Sequence, residues 1–291
     1  MKNIVVIYHR SDFDGIFCRE IARKFLGDSA EYIGWDYGDS DAIIPPGIET
    51  IYMLDISVET WMNDPRLFWI DHHKSAMEKF GKLQGYQVDG VAACRLAWQY
   101  FANPQGNHQL PSKHAYIERL VSEPLAVRLA GEYDIWDKRD PRAELFQHGL
   151  RSQPLTTHDW RWMLGTDCDP VMMTSSVEAL LRQGTAIQYS STQQNESIIL
   201  AYGFTVQFEG LTFLACNHAR FNSHLFTAGI KPEHDALMGF NYDGQKKEWR
   251  FSLYHAPGKE HHDLSAIAVR HGGGGHRGAC GFRKSEIASI L

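Results

Sequence analysis

The segment Phe68-Trp69-Ile70-Asp71-His72-His73 is the stretch around which the chain is organised, because an apolar run ends there in an acid and two imidazoles. In an open parallel α/β sheet, the carboxyl ends of the strands deliver side chains to the rim where ligands bind. There, one imidazole can bind a metal ion while the carboxylate orients a ring. Pairs of surface histidines are common, so the meaning of the tripeptide depends on how the other strands end.

Two other apolar runs end in residues of the same type. Residues 4–8 and 51–54 are short, β-branched or apolar runs that predict buried parallel strands. A helix is predicted over residues 16–26, ending at Gly27, and capping of this helix is the alternative role for the acids of the first turn. Since three strands end alike, we expect one common rim. The polar residues that follow these two strands are His9, Asp12, Asp14 and Asp55.

The remaining N-terminal elements follow from hydrophobic period and turn residues. Residues 32–35 and 67–70 predict strands. Helices are predicted over residues 91–101, 116–130 and 175–200, with a break at 103–107 and with Gly131 ending the second helix. Asp134 is expected just after that helix, between aromatic residues. A metal pocket that needs further carboxylates makes Asp134 a candidate ligand, with an ordinary turn aspartate as the alternative.

The pattern changes to short strands beyond residue 203. Strands are predicted at 205–208, 212–216, 236–240 and 249–254, with a hairpin turn at Asp243-Gly244 and a helix over 264–269. Four glycines, at 272–275, then precede His276 and Arg277. Glycines let backbone N–H groups approach an anion closely. We therefore expect this loop to contact a substrate phosphate rather than to serve as a flexible linker.

Composition bounds the class of protein. The 291 residues are 43% hydrophobic and 22% charged, which is typical of a folded chain. The net charge of −6 argues against a protein that coats nucleic acid without regard to sequence. The sequence has no run of about 18 apolar residues, so we expect no membrane span. The first apolar run is too short for a signal peptide. An odd number of cysteines without a CxxC spacing predicts the reducing cytoplasm. They are Cys18, Cys94, Cys168, Cys216 and Cys280.

Taken in series, these motifs resemble the DHH phosphoesterases that carry the DHH-associated C-terminal domain. The resemblance covers nearly the whole chain. It rests on His9-x-x-Asp12-x-Asp14-Gly15, Asp55, Asp71-His72-His73, Asp134 and Gly272-Gly273-Gly274-Gly275-His276. Relatives include single-strand exonucleases, oligoribonucleases that also attack phosphoadenosine phosphate, cyclic-dinucleotide phosphodiesterases and exopolyphosphatase-like proteins. The glycine run argues against the related class of inorganic pyrophosphatases, whose second domain differs.

The resemblance implies a pair of Mn²⁺ ions, with Mg²⁺ or Co²⁺ as substitutes. His9, Asp12 and Asp55 would hold the first ion, and Asp14, Asp55, His72 and Asp134 the second, with Asp55 shared. Asp71 and His73 would be catalytic, with Asp71 supporting the pair of histidines and His73 facing the phosphate. Mixed histidine and carboxylate ligands agree with such a metal. The predicted substrate-binding residues are Gly273, Gly274, Gly275, His276, Arg277 and Arg270.

The chain departs from the family at one position. Many relatives have a Leu-Arg-Ser segment on a strand of the C-terminal domain, whose arginine binds substrate. The corresponding place here reads Ser252-Leu253-Tyr254-His255, without the arginine. Its substitute is left open among Arg250, His255, Arg270 and Arg277.

The predicted architecture is therefore α/β, with a cleft between two domains. A doubly wound parallel sheet would form the metal-binding catalytic DHH domain over residues 1–185. Residues 186–202 would be a helical linker, and residues 203–291 a smaller α/β substrate-binding domain with a mixed sheet.

The predicted function is hydrolysis of short nucleotides, such as linear dinucleotides or nano-RNA, by a hydroxide that two metal ions activate. An exopolyphosphatase or a phosphomonoesterase of the phosphoadenosine phosphate type is the enzymatic alternative. A degenerate nucleotide-binding module is the non-enzymatic one. The expected partner is a short nucleotide or phosphate ester, without a long nucleic acid or a membrane, and a homodimer is one oligomeric state that the sequence leaves open.

Overall fold

The structure is a computed structural model that describes residues 2–103, 110–137, 139–158, 160–165, 170–219, 221–288 and 290. The chain forms two compact units, Met1–Ile187 and Gln188–Leu291. The predicted break at 103–107 falls largely outside the described residues, as does Cys168.

A five-stranded parallel sheet is the centre of the first unit. Its strands are β1 (Ile4–His9), β2 (Ala30–Trp35), β3 (Thr50–Leu54), β4 (Leu67–Asp71) and β5 (Gly85–Gln87). They lie in the order β2-β1-β3-β4-β5, and every pair is parallel. The prediction of a parallel α/β domain is thus confirmed, and β5 is an added edge strand that the hydrophobic pattern does not predict.

The helices of this unit differ in length. They are α1 (Phe13–Leu26), α2 (Lys74–Phe80), α3 (Ala93–Ala102), α4 (Lys113–Ile117), α5 (Leu125–Asp134), α6 (Arg142–Arg151) and α7 (Trp160–Met163). Helix α8 (Pro170–Tyr202) crosses the division between the two units. It includes the segment 186–202 that the sequence assigns to a separate linker, so no break in the helix marks the predicted start of that linker.

Alternation along the strands divides the core between the two faces of the sheet. Val6 packs in the cluster that includes α1, α3 and α5, whereas Val5 and Ile7 belong to the cluster on the other face. Successive side chains of a strand point to opposite faces, so a continuous apolar run such as β1 is buried on both sides.

The strand order places a switch point between β1 and β3. The chain leaves β1 toward β2 on one side, and β3 lies on the other side of β1. In open α/β sheets, ligands bind outside the carboxyl ends of the strands at such a point. His9 ends β1, Asp55 follows β3 and Asp71 ends β4, so the topology brings these three residues to the same edge.

The prediction of one helix over 116–130 is wrong. The structure has α4 and α5 instead, because Arg119 adopts a left-handed φ of 56° and Pro124 precedes the first residue of α5. Gly131 lies inside α5, and a Cβ atom there would come within 2.7 Å of the Arg95 side chain. The glycine therefore permits close packing against α3 rather than ending the helix, and Asp134 is the last helical residue instead of following it.

The second unit contains a six-stranded mixed sheet. Its strands are β6 (Phe204–Phe208), β7 (Leu211–Asn217), β8 (Ala236–Asp243), β9 (Glu248–His255), β10 (Gly274–His276) and β11 (Ala279–Lys284). The order is β10-β11-β9-β8-β7-β6, and only β7 and β8 are parallel. Helix α9 (Leu264–Arg270) covers one face with Leu264, Ile267 and Ala268. The predicted mixed-sheet domain is confirmed.

The glycine run is part of this sheet rather than a loop throughout, which corrects the prediction. Gly274 to His276 form β10 and pair with β11 as a short hairpin. Glycine is required where the strands approach closely, since a Cβ atom on Gly273 would lie 2.0 Å from the carbonyl oxygen of Gly281. Some of the backbone groups that we expected to contact an anion, those of Gly274 to His276, belong instead to a strand that pairs with β11.

None of the helices in the described part of the chain combines the length and the apolar character needed to cross a membrane.

Candidate metal centre

His9 and Asp12 stand at the turn from β1 to α1. The Oδ1 atom of Asp12 accepts a hydrogen bond from the Gly15 N–H at 3.0 Å, so Asp12 does cap the helix. Its Oδ2 atom is free for another task and lies 2.8 Å from His9 Nδ1. The two interpretations of Asp12, as a helix cap and as a ligand, are therefore compatible, because each uses a different oxygen.

Asp14 is buried in the first turn of α1. Its two oxygens accept hydrogen bonds from the backbone N–H groups of Ala93 and Cys94, at 2.8 and 2.7 Å. These are the first N–H groups of α3, where the helix dipole favours a negative charge. Oδ2 also lies 3.5 Å from Nε2 of His72. Helix α3 thus holds the carboxylate in place with one side still directed at a histidine.

Asp55 lies between the other groups. Its Oδ2 atom is 3.5 Å from His9 Nδ1, and its Oδ1 atom is 3.4 Å from His72 Nε2. The residue is only 1% exposed and adopts a left-handed φ of 60°. Neither of its carboxylate oxygens has a hydrogen-bond partner within the described part of the chain. A strained backbone and two buried, unsatisfied oxygens are expensive, which points to a bound cation as the missing partner.

His72 faces three carboxylates at once. Its Nε2 atom lies 3.3 Å from Oδ2 of Asp134, in addition to its approaches to Asp14 and Asp55. Asp134 reaches this point because α5 ends there. The geometry brings together all the predicted metal ligands, in the groups His9–Asp12–Asp55 and Asp14–His72–Asp134, with Asp55 close to both histidines.

Asp71 supports the turn that carries the two histidines. Its Oδ1 atom accepts hydrogen bonds from the backbone N–H groups of His72 and His73, and lies 2.7 Å from His73 Nδ1. Its Oδ2 atom accepts from the indole N–H of Trp69 at 3.1 Å. Both oxygens are thus occupied within the protein. This agrees with a supporting role for Asp71 and leaves Nε2 of His73 as the nitrogen available to a substrate.

Electrostatics also favours bound cations. Burial raises the pKa of Asp55 to about 8 and the pKa values of Asp14 and Asp134 to about 7. The carboxylates of Asp12 and Asp55 raise the pKa of His9 to about 11. Metal binding requires the deprotonated forms of these groups and therefore releases protons.

The donor set fits a pair of divalent cations. Two such ions would neutralise the four ligating carboxylates. Histidine nitrogens mixed with carboxylate oxygens suit Mn²⁺ and do not select a thiolate-preferring metal. The residues present therefore fit the cofactor that the sequence predicts, and the choice among Mn²⁺, Mg²⁺ and Co²⁺ stays a prediction.

Residues around the centre that the sequence pattern did not indicate hold the ligands in position. Asp36 Oδ1 lies 3.3 Å from His9 Nε2, and its Oδ2 accepts a hydrogen bond from Ser11. Trp69 orients Asp71 through its indole N–H. The position of Asp36, just after β2 at the same edge of the sheet, is the one signal that could have revealed it, because it repeats the pattern of a strand that ends in an acid.

The predicted substrate-binding residues lie in the second unit and divide into two sets. The four residues from Gly273 to His276 are all exposed, and within β10 Gly275 is opposite Cys280 of β11. Arg270 donates to Glu209 at 2.8 and 3.1 Å. Arg277 donates to the carbonyl oxygen of His261 at 2.7 Å. Both arginines are exposed at the surface but are hydrogen-bonded to other groups of the chain, and their predicted contact with substrate stays a prediction.

Comparison with family models and with curated proteins finds no match. Solved structures do match over almost the whole chain. The pGpG-specific phosphodiesterase PggH of Vibrio cholerae is 16% identical, with a TM-score of 0.51 over 99% of this chain and 95% of PggH. The DHH domain of a member of a family of ribosomal proteins is 12% identical, with a TM-score of 0.54 over 97% and 82% of the two chains. The exonuclease RecJ bound to manganese is 12% identical, with a TM-score of 0.50 over 99% and 87%.

The fold and the centre define an α/β protein with a paired histidine–carboxylate site at the switch point of a parallel sheet. More specifically, the chain has the fold of the DHH proteins, and it carries the Asp-His-His sequence at residues 71–73. The resemblance predicted from the motifs is confirmed at the level of the fold.

Proposed function

We propose that the chain is a phosphodiesterase that depends on divalent metal ions and hydrolyses short nucleotides, linear dinucleotides in particular. The observation that carries the proposal is the position of Asp55, whose two unsatisfied oxygens face His9 on one side and His72 on the other. A buried carboxylate shared in this way is the arrangement needed to hold two cations side by side. The complete ligand set also argues against a degenerate binding module.

His9, Asp12 and Asp55 would hold one cation, and Asp14, Asp55, His72 and Asp134 the other. When bound, such a pair lowers the pKa of water and neutralises the charge of the attacking and leaving oxygens. The protein fixes the ligands beforehand: Gly15 holds one oxygen of Asp12, and the N-terminus of α3 holds Asp14. Preorganised ligands of this kind reduce the cost of ordering the site when substrate arrives.

His73 is the residue that would meet the phosphate. Asp71, the main cause, raises the pKa of His73 to about 9, so the imidazole is protonated at neutral pH. Nδ1 is held by Asp71 at 2.7 Å, and the side chain is 39% exposed. A cationic ring fixed at one nitrogen can donate from Nε2 to a phosphate oxygen and supply a proton to the leaving oxygen.

The preference for short substrates rests on charge. The net charge of −6 gives the chain no general attraction to the backbone of a long nucleic acid. PggH is by its name specific for pGpG, and its fold spans the same two units. Both points favour a dinucleotide over a long strand.

The test is a direct comparison of substrates with the full chain and Mn²⁺. Hydrolysis of pGpG, pApA, phosphoadenosine phosphate and polyphosphate would be followed side by side by chromatography and phosphate release. We expect the largest kcat/KM on the dinucleotides. Preference for phosphoadenosine phosphate or polyphosphate would replace the proposal by the corresponding phosphomonoesterase or exopolyphosphatase, and metal binding without turnover of any substrate would leave a binding module.

A further inference from the structure

One part of the six-stranded sheet in the second unit has an open face. On β9, Phe251 and Leu253 point into the core that α9 covers, so Arg250 and Ser252 point to the opposite face. Strand β11 pairs with β9 so that Arg283 is opposite Arg250. The face therefore carries two arginines side by side, and both are exposed.

The two arginines are an unfavourable pair by themselves. Directly opposite residues of antiparallel strands have Cβ atoms about 4.5–5.5 Å apart, and like charges in such positions destabilise the sheet. Glu248 compensates only one of them: its Oε1 accepts a hydrogen bond from Arg283 Nη1 at 2.7 Å. Arg250 has no hydrogen bond or ion pair with another described residue, although its charge contributes to the lowered pKa of Asp243. One positive charge of the pair thus lacks a close counter-ion.

A cavity of about 270 Å³ lies beside this pair. Its lining includes Arg250, Arg283, Ser252 and three glycines, at 272, 273 and 281. The glycines leave the backbone as the wall, because a Cβ atom on Gly281 would lie 2.5 Å from the carbonyl oxygen of Phe251. Such a wall lets a compact ligand approach two guanidinium groups. Guanidinium groups bind phosphate through paired N–H donors.

The other side chains that were candidates for contacting substrate are engaged elsewhere. Arg270 donates to Glu209, and Arg277 donates to the carbonyl oxygen of His261. His255 Nε2 lies 2.8 Å from the carbonyl oxygen of His262. Among the four residues that could replace the missing family arginine, Arg250 is thus the one without an internal hydrogen-bond partner in the described part of the chain.

We propose that Arg250 and Arg283 form a phosphate-binding site on this face, with Ser252 as an additional donor. The ligand is a phosphate group. Its source is either the terminal phosphate of the substrate, an assignment that rests on the proposed function, or free inorganic phosphate. Glu248 holds Arg283 so that its remaining N–H groups face the ligand, and Arg250 supplies the uncompensated charge.

The first experiment measures phosphate binding without the metal centre. The full chain, treated with EDTA, is titrated with inorganic phosphate in a calorimeter. We expect saturable binding that weakens about tenfold or more in Arg250→Gln and in Arg283→Gln, since each loses charge-assisted hydrogen bonds. Lys246→Gln is the matched control, because this exposed residue of the β8–β9 turn changes the net charge equally.

Equal weakening in the control would show non-specific attraction, and unchanged binding in Arg250→Gln would overturn the site. Circular dichroism and the melting temperature of each variant exclude unfolding as the cause.

The second experiment separates the two sources of phosphate. If the site takes the substrate's terminal phosphate, Arg250→Gln raises KM about tenfold for a 5′-phosphorylated dinucleotide, leaves kcat unchanged and has no effect on the same dinucleotide without that phosphate. If it takes free phosphate, the variant leaves both KM values unchanged but abolishes the response of activity to added phosphate. A variant that changes none of these quantities contradicts the site. Should no dinucleotide be hydrolysed, the proposed function fails, while the calorimetric titration still decides whether the phosphate site exists.

Discussion

Replacement of Asp55 by asparagine tests the central feature of the proposed metal centre, a carboxylate that two cations would share. Asparagine preserves the shape of the side chain and is among the residues that tolerate a left-handed φ, here 60°. Alanine would add backbone strain to the loss of charge. The asparagine variant therefore removes one negative charge and changes little else.

The expected size of the effect follows from the distances. Each oxygen of Asp55 lies 3.4–3.5 Å from a histidine nitrogen that would bind a cation. Two unit charges about 4 Å apart interact by about 4 kcal/mol at an effective dielectric constant of about 20, which is a lower bound for a carboxylate beside a divalent cation. Since 1.36 kcal/mol corresponds to a factor of ten, we expect metal affinity to fall by at least about three orders of magnitude. Activity should fall by at least as much, because both ions lose the same ligand.

The assay is calorimetric titration of Mn²⁺ into the EDTA-treated chain, with hydrolysis of pGpG measured on the same samples. We expect two equivalents of tightly bound metal in the unmodified chain and fewer than two in Asp55→Asn. Asp28→Asn, which removes an equal charge from the surface, should behave like the unmodified chain. Two tightly bound equivalents together with activity within tenfold of normal in Asp55→Asn would refute the shared-ligand assignment.

Three further predictions concern pH and packing. The pKa of Asp55 rises from 3.8 to about 8 on folding, so its protonation stabilises the metal-free fold fully below about pH 4, and this contribution is lost as pH rises through 8. The melting temperature in EDTA should therefore fall between about pH 4 and pH 8, and it should fall by less in Asp55→Asn. Equal slopes of melting temperature against pH in the two proteins would contradict the assignment. The indole N–H of Trp69 is shared between Asp71, at 3.1 Å, and the carbonyl oxygen of Ile56, at 3.0 Å. Trp69→Phe removes both hydrogen bonds and should lower kcat about 10- to 100-fold without changing metal stoichiometry. The indole of Trp61 donates to the carbonyl oxygen of Ala42, so Trp61→Phe should leave kcat unchanged. Gly15→Ala would place a Cβ atom 1.9 Å from the carbonyl oxygen of His9. We expect the free energy of unfolding in urea to fall by about 1–3 kcal/mol and metal binding to weaken. A variant with normal metal affinity would show that the turn can adjust.

The polar strand ends were predictable because they are local features. Strand β1 is a short apolar run that ends in His9, and β4 ends in Asp71 and is followed at once by His72. In a parallel sheet the carboxyl ends of the strands share one edge, so the order of residue types along the chain already places these side chains together. This reasoning covers His9, Asp55 and His72, whereas Asp134 was proposed from the need for a further carboxylate and from the family resemblance.

Glycines were predicted less well, because their role depends on what lies against them. Gly131 looks like a helix end in the sequence, yet it permits contact between α5 and the side chain of Arg95 on α3. Gly274 looks like part of a loop, yet it belongs to a strand. Propensity describes the residue alone, and tertiary contacts override it.

The sequence by itself determined the class of fold and the approximate positions of most strands, and it predicted the residues that the structure gathers in the candidate metal centre. The tertiary structure decided how those ligands are held: Asp14 is fixed by N–H groups about eighty residues away, and Asp134 is carried in by the end of α5. It also decided which arginines remain available, since Arg270 and Arg277 are engaged within the unit and Arg250 stands opposite Arg283. The physical reason is that residue type and period act locally, whereas hydrogen-bond partners and neighbouring charges depend on which distant segments the fold brings together.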